Sequence, residues 1–263
     1  MKLFFVYIGL SIFFIFIFPV IWEKLSKIVT DKKNSENENS LHEIIHDLKT
    51  PAAAQLRACE LLLKGSFGNL ENGQKELIVS MSNSNRYILD LVNNMLIYSK
   101  FNNNQINLNF EIFDINELIR KEIFNLNLLS EEKNCEIEFQ SNKNEIFINA
   151  SQTGIRRVII NLISNAVKFA DSSSTITIKT LADNKTCEFS VLNYGKYIEK
   201  NDFHNIFKKY KSIGNYGNGL GLYISKLIIS KHNSKITVKS SKTEGNCFSF
   251  RLQAVKSPAI INK

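Results

Sequence analysis

An imidazole, a carboxylate and a hydroxyl stand close together in His46-Asp47-Leu48-Lys49-Thr50-Pro51, inside an otherwise helical pattern. A neutral imidazole with a free ring nitrogen is a nucleophile near neutral pH, and a carboxylate beside it can bond to the ring or take its proton. Pro51 removes a backbone donor and strains the helix at that point. Alone, such a pair is most often an ordinary feature of a helix surface. Chemistry at His46 needs a reaction supplied from elsewhere in the chain.

Three further groups could supply one. Asn161, Asn165 and Lys168 recur four and three residues apart, so on a helix they share one face. Two amide oxygens and an ammonium there can hold a metal–phosphate group, because Mg²⁺ takes oxygen ligands and needs few from protein when phosphates complete its shell. Gly217-Asn218-Gly219-Leu220-Gly221-Leu222 opens a helix. Glycines let backbone amides approach phosphate closely, and a helix N-terminus carries partial positive charge. No βαβ unit surrounds the triplet, so it is not the dinucleotide fingerprint. Asn193-Tyr194-Gly195-Lys196-Tyr197 ends a strand and leads into a basic segment. Within that segment Ile206 and Phe207 can pack down, while Lys208, Lys209 and Lys211 either form a solvated face or steer a nucleotide.

The elements that must position these groups follow from the patterning. Residues 3–22 contain no charge, and twenty residues at about 1.5 Å each reach roughly the thickness of a hydrocarbon core. The run is too long for a signal-peptide core and ends at Trp22 without a small-residue cleavage site. It is expected to be an uncleaved, single-pass anchor in the inner (cytoplasmic) membrane. Lys24, Lys27, Lys32 and Lys33 follow it, which favours a cytoplasmic C-terminal body. With two residues before the span, no external sensing domain is expected. The net charge of +8 suits anionic partners such as phosphate, an acidic protein surface or lipid headgroups. No nucleic-acid-binding motif accompanies it, so nucleic acid is not an expected partner. Cys59, Cys135, Cys187 and Cys247 lack metal-ligand spacing and read as reduced, mostly buried thiols.

From Leu41 apolar residues fall at 41, 45, 48, 52, 59 and 62, a coiled-coil seam. His46 lies off that seam. A turn at 65–69 leads to a second seam of Leu77, Met81, Ile88, Leu91, Met95 and Tyr98. Two seamed helices form an antiparallel hairpin, and a homodimer pairing two hairpins into a four-helix bundle would bury both seams. Packing within the chain is the alternative. Beyond Asn102 the pattern changes to mixed helix and strand. Helices are expected at 115–129, 153–170 and 220–232, and strands at 136–139, 145–150, 175–179, 187–191, 235–240 and 247–252. The strands 175–179 and 187–191 should be adjacent and antiparallel, joined through Asp183-Asn184. The class is α+β, a sandwich of helices on a sheet. The expected division is anchor 1–22, linker 23–40, helical domain 41–101, linker 102–109, α/β domain 110–255 and a disordered tail 256–263.

The order of these signals resembles the sensor histidine kinases of two-component signal transduction. His46 to Pro51 is similar to that family's phospho-acceptor box, Asn161 to Phe169 to its N box, Ile206-Phe207 to its F box and Gly217 to Leu222 to its second glycine box. The resemblance implies a Bergerat-type domain binding ATP and Mg²⁺, with Asn161, Asn165, Lys168, Phe169, Asn193, Gly195, Phe207, Gly217, Gly219, Gly221 and Leu222 around the nucleotide and Asn165 on the metal. It implies phosphoryl transfer to His46, with Asp47 as acid/base partner, then onward to an aspartate of a separate response regulator. Thr50 matches the position that orients water for regulator dephosphorylation. The same fold resembles chaperone and topoisomerase ATPases, which carry a glutamate base where Asn161 stands, so a kinase is expected over a hydrolase.

Two departures stand out. The family's first glycine box is Asp-x-Gly-x-Gly, with the aspartate accepting a bond from the adenine amino group; here Asn193 and Tyr197 replace the first and last residues. Ala150 stands where an aspartate is common. A pseudokinase, or a phosphatase or phosphotransfer scaffold with weakened ATP binding, is the alternative function.

Overall fold

The computed structural model describes residues 36–102, 108–211 and 219–257. The expected membrane anchor, residues 1–22, therefore lies outside the described residues, as do most of the first linker and 258–263 of the tail. Among the described residues no helix is long and apolar enough to cross a membrane. The chain divides into two compact units between Asn103 and Asn104.

The first unit contains two helices that pack against each other, α1 (Glu36–Leu63) and α2 (Asn72–Asn102). α1 begins at Glu36, five residues before the expected domain start at 41. The polar stretch from Glu36 holds neither Pro nor Gly, so the helix runs through it. The α1 seam is buried at Ile45, Ala52 and Cys59, seven residues apart. Pro51 lies within α1. The expected α2 seam is displaced. Leu77 is exposed and Met81, Ile88, Leu91, Met95 and Tyr98 are half-buried, while Ile78, Ser82, Asn85, Val92 and Phe101 are buried. Small polar residues occupy two of those inward positions, so an apolar count settles on the neighbouring row.

The second unit is built from β1 (Glu111–Asp114), α3 (Ile115–Glu132), β2 (Glu136–Ser141), β3 (Phe147–Ala150), α4 (Gln152–Phe169), β4 (Thr175–Ala182), β5 (Thr186–Asn193), α5 (Gly221–Lys231), β6 (Thr237–Ser241) and β7 (Gly245–Gln253). Two 3₁₀ turns, Lys200–Asp202 and Asn205–Phe207, lie between β5 and α5. Five strands form one sheet in the order β2-β4-β5-β7-β6, and β1 pairs with β3 in a second, antiparallel sheet. β4 and β5 are antiparallel neighbours, as expected, but β2 runs parallel to β4, making the sheet mixed.

Alternation explains which face is covered. Ile176, Ile178 and Thr180 of β4, Phe189 and Val191 of β5, and Phe248, Phe250 and Leu252 of β7 are buried on one face of the sheet. Phe189 and Phe250 are register partners whose rings stack at 5.0 Å. The helices contribute a matching apolar stripe; in α4 it is Ile155, Val158, Ile159, Leu162, Ile163, Ala166 and Val167. Polar groups inside are paired. Asn116, fully buried, donates through Nδ2 to Ser141 Oγ at 2.9 Å and to the Lys143 carbonyl at 2.9 Å, and accepts from Thr180 Oγ1 at 2.8 Å. Buried Glu122 of α3 accepts from Arg156 Nε of α4 at 2.7 Å. These bonds fix α4, which carries the three-residue polar face, against its neighbours.

Candidate nucleotide site

α4 starts at a built cap. The Ser151 side chain accepts from the Gly154 amide at 3.3 Å, and the Ser151 amide donates to His232 Nε2 at 3.0 Å. His232 Nδ1 lies 2.8 Å from the Ile228 carbonyl, which fixes Nδ1 as the protonated nitrogen and Nε2 as acceptor. Burial pulls the His232 pKa below its ordinary value, opposed by the Ile228 bond.

Asn161, Asn165 and Lys168 are half-buried along one side of α4, beside its apolar stripe. Asn161 Nδ2 donates to Ser225 Oγ of α5 at 2.9 Å. Its Oδ1 accepts from Asn165 Nδ2 at 3.5 Å, which leaves the Asn165 amide oxygen for another partner. Lys168 Nζ stands 5.4 Å from the ring centroid of half-buried Phe169. Ser225, the residue that holds Asn161, is not among the site residues read from sequence; it is a buried hydroxyl on an otherwise apolar face of α5.

The glycine-rich segment meets this face directly. A β-carbon on Gly221 would overlap Asn161 Oδ1, so only glycine lets the first turn of α5 come this close. Gly219 has φ +63, and a β-carbon on it would stand 2.6 Å from the Lys211 amide nitrogen. Leu220 is fully buried and Leu222 half-buried. Gly217 lies outside the described residues. Phe207 is buried with its ring edge-on to Phe248 at 6.4 Å, and Ile206 is buried beside it. Lys208, Lys209 and Lys211 are exposed, with Lys209 Nζ 5.5 Å from the Tyr223 ring.

The strand-end segment closes on the far end of α4. Ala170 and Gly195 form an antiparallel bridge, and the Asp171 amide donates to the Tyr194 carbonyl at 2.7 Å. A β-carbon on Gly195 would overlap the Phe169 carbonyl. Asn193, the last residue of β5, is 3% exposed and pairs in register with Asn246 of β7. Asn246 is satisfied: it donates to the Lys196 carbonyl at 3.1 Å and accepts from Ser240 Oγ at 2.6 Å. Gly245, with φ +79, leaves room for the Asn193 carbonyl, which would lie 2.6 Å from a β-carbon there. Asn193 Nδ2 is buried with no hydrogen-bond partner.

Of the predicted residues of the second unit, Asn161, Asn165, Lys168 and Phe169 lie on α4 and Gly221 and Gly195 meet it, whereas Phe207 packs on Phe248 of β7. Asn161 and Gly221 meet at one point on α4, and Phe169 and Gly195, with Asn193 behind, meet at its end. Asp47 and Thr50 belong to the other unit, where both are exposed on α1; the backbone of His46 is helical, and its side chain lies outside the described residues. Among the described residues no cluster of three His, Cys, Asp or Glu could hold a metal ion. Asn165 offers one neutral oxygen, which fits a metal brought by phosphates rather than a free ion.

Comparison with known proteins places this arrangement. Residues 150–256 match the family described as histidine kinase-, DNA gyrase B-, and HSP90-like ATPase. The circadian input-output histidine kinase CikA of Synechococcus elongatus is 26% identical over 226 residues, covering 82% of this chain and 30% of the relative. The sensor histidine kinase WalK of Bacillus subtilis is 26% identical over 232 residues, covering 84% of this chain and 37% of the relative. The chain thus spans about a third of the length of these relatives. Among solved structures, the catalytic domain of histidine kinase ThkA is 28% identical with a TM-score of 0.52, covering 55% of this chain and 97% of that one. Full-length ShkA in complex with AMPPNP shares the fold with a TM-score of 0.67 at 24% identity, over 83% of this chain and 46% of that one. Residues 150–256 form a histidine kinase-, gyrase B- and HSP90-like ATPase domain, and the chain that carries it is similar to sensor histidine kinases.

Proposed function

We propose that this protein is a membrane-anchored sensor histidine kinase that binds Mg-ATP in its second unit, phosphorylates His46 and passes the phosphoryl group to an aspartate of a separate response regulator. The observation that carries the reading is the contact of Gly221 with Asn161, which sets the glycine-rich N-terminus of α5 against the polar face of α4. That pairing puts backbone amides and a helix dipole beside two amides and Lys168. Complexes named among the relatives point the same way: ShkA with AMPPNP, and ThkA with the response regulator TrrA, the latter sharing the fold at a TM-score of 0.56.

In this reading Phe169, Asn193 and Gly195 receive the base, with Phe207 packed behind the segment that follows. Gly217, Gly219, Gly221 and Leu222 line the phosphates. Lys168 offsets phosphate charge, and Asn165, assisted by Asn161, would hold Mg²⁺, which supplies charge neutralisation when bound. A ring nitrogen of His46 attacks the γ-phosphorus, the bond to the bridging oxygen breaks, ADP leaves, and Asp47 takes the ring proton. α1 and α2 would assemble as a hairpin in a homodimeric four-helix bundle, supported by the exposed Leu77, Val79 and Tyr87 on α2. The uncharged run 3–22 supports the single-pass anchor with a cytoplasmic body.

Incubation of the chain with labelled ATP and Mg²⁺ tests this. Acid-labile, alkali-stable label that disappears in His46→Gln is expected. The exchange of a charged acceptor for Asn193 favours a second reading, a phosphatase or phosphotransfer scaffold. It replaces the first if no label forms while a regulator's phosphate is lost with the wild type but not with Thr50→Ala.

A further inference from the structure

Asn193 has an unusual position for its chemistry. It is 3% exposed, yet its Nδ2 has no partner. Buried amide donors are nearly always paired, and an unpaired one costs free energy until something accepts its proton. The neighbours do not supply an acceptor. Asn246, its register partner, spends its amide on the Lys196 carbonyl and the Ser240 hydroxyl. Nδ2 lies beside Gly195, 3.4 Å from where a β-carbon would stand, a place that the Phe169 carbonyl occupies. The backbone there is clamped by the Ala170 bridge on one side and by Gly245 on the other, so the amide cannot withdraw with its strand.

We infer that Asn193 makes the base pocket accept 6-oxopurine nucleoside triphosphates, donating Nδ2–H to O6, in addition to 6-aminopurines. The inference rests on the reading above that places the base at Asn193. A carboxylate at this place only accepts, so it bonds to a 6-amino group and repels a 6-oxo group. An amide carries a donor and an acceptor of nearly the same shape, so it meets the 6-oxo group as it stands and the 6-amino group when turned over. Discrimination between the two bases collapses because each leaves the pocket equally satisfied. Asn193 is thus a specificity-determining residue, and the donors it admits are inosine and guanosine triphosphates alongside ATP.

The test is displacement of a fluorescent ATP analogue from the full chain, in detergent with Mg²⁺, by ATP and by inosine triphosphate. The expected result is that the two nucleotides compete within about threefold of each other, a difference smaller than one net hydrogen bond. Asn193→Asp should tighten ATP and weaken inosine triphosphate, separating them by about tenfold or more. Since a buried carboxylate can impair folding, Asn193→Ser serves as a second variant. It should weaken both nucleotides by similar factors. Wild-type discrimination of about a hundredfold in favour of ATP would overturn the inference and leave the kinase reading standing. Failure to bind any nucleotide would overturn both.

Discussion

The α-carbon of Gly221 lies so near the side chain of Asn161 that a single added methyl group on it would overlap Oδ1. The bond from Asn161 Nδ2 to Ser225 Oγ locks the same amide from the next turn of α5. Gly221→Ala should therefore displace Asn161 and, with it, Asn165. We expect histidine labelling from ATP to fall by more than about tenfold with far-ultraviolet circular dichroism unchanged. Shortening the partner, in Asn161→Ser/Gly221→Ala, should restore thermal stability but not labelling. Recovery of both would mean that Asn161 acts only as packing.

Gly195 tests the other end of α4. Its would-be β-carbon meets the backbone carbonyl of Phe169, which cannot rotate away as a side chain could. Gly195→Ala should cost about 2–4 kcal/mol of stability, read as a lowered urea midpoint with an unchanged slope. A cost under about half a kcal/mol would show that the Ala170 bridge yields easily.

His232 gives the domain a pH dependence of defined sign. Its folded pKa lies below that of the unfolded chain because burial disfavours the charged form. The contribution is fully present above the unfolded value of about 6.5 and is lost as pH falls through the lower folded value, since the unfolded chain then binds the extra proton. Chemical unfolding between pH 7.5 and 5 should show stability declining, and His232→Gln should flatten that decline. A slope identical in the two proteins would assign it to other groups.

Cys187 should be inert. Burial pushes its thiol pKa up to about 12, so at pH 8 almost none is thiolate. Mass spectrometry after iodoacetamide treatment should find Cys187 unmodified in the native protein and fully alkylated after unfolding. Modification at native rates comparable to Cys247, which is only half-buried, would contradict the packing of β5 against the helices.

Much of this was legible in the chain itself. The heptad spacing of Ile45, Ala52 and Cys59 announced the buried side of α1, and the extents of α4 and α5 fell within a residue or so of expectation. The strands whose own alternation is strong, β4 and β5, were placed and paired correctly. What failed was information that a segment does not carry alone. β1 is four residues long and is a strand only because Glu111–Asp114 finds β3. The parallel pairing of β2 with β4 depends on the direction of a distant partner. On α2, Ser82 and Asn85 turn inward although neither is apolar. At the candidate site, residue types pointed to Asn161, Asn165 and Gly221, but their contacts with one another and the support from Ser225, Asn246 and Gly245 appear only when separate strands and helices meet. The unpaired donor of Asn193 is likewise a property of its surroundings.

The sheet order carries a consequence for how the protein is made. β7 inserts between β5 and β6, so the strand that backs Asn193 is made after every other described strand of its sheet. A nascent chain that has already released Asn161, Gly195 and Gly221 still lacks Asn246 and Gly245, and β5 meanwhile presents an edge of unpaired backbone N–H and C=O groups. Pairings this distant in sequence form late and slowly. The candidate site is thus completed only after β7 has been made, and a chain cut short before Gly245 should be prone to aggregate rather than persist folded.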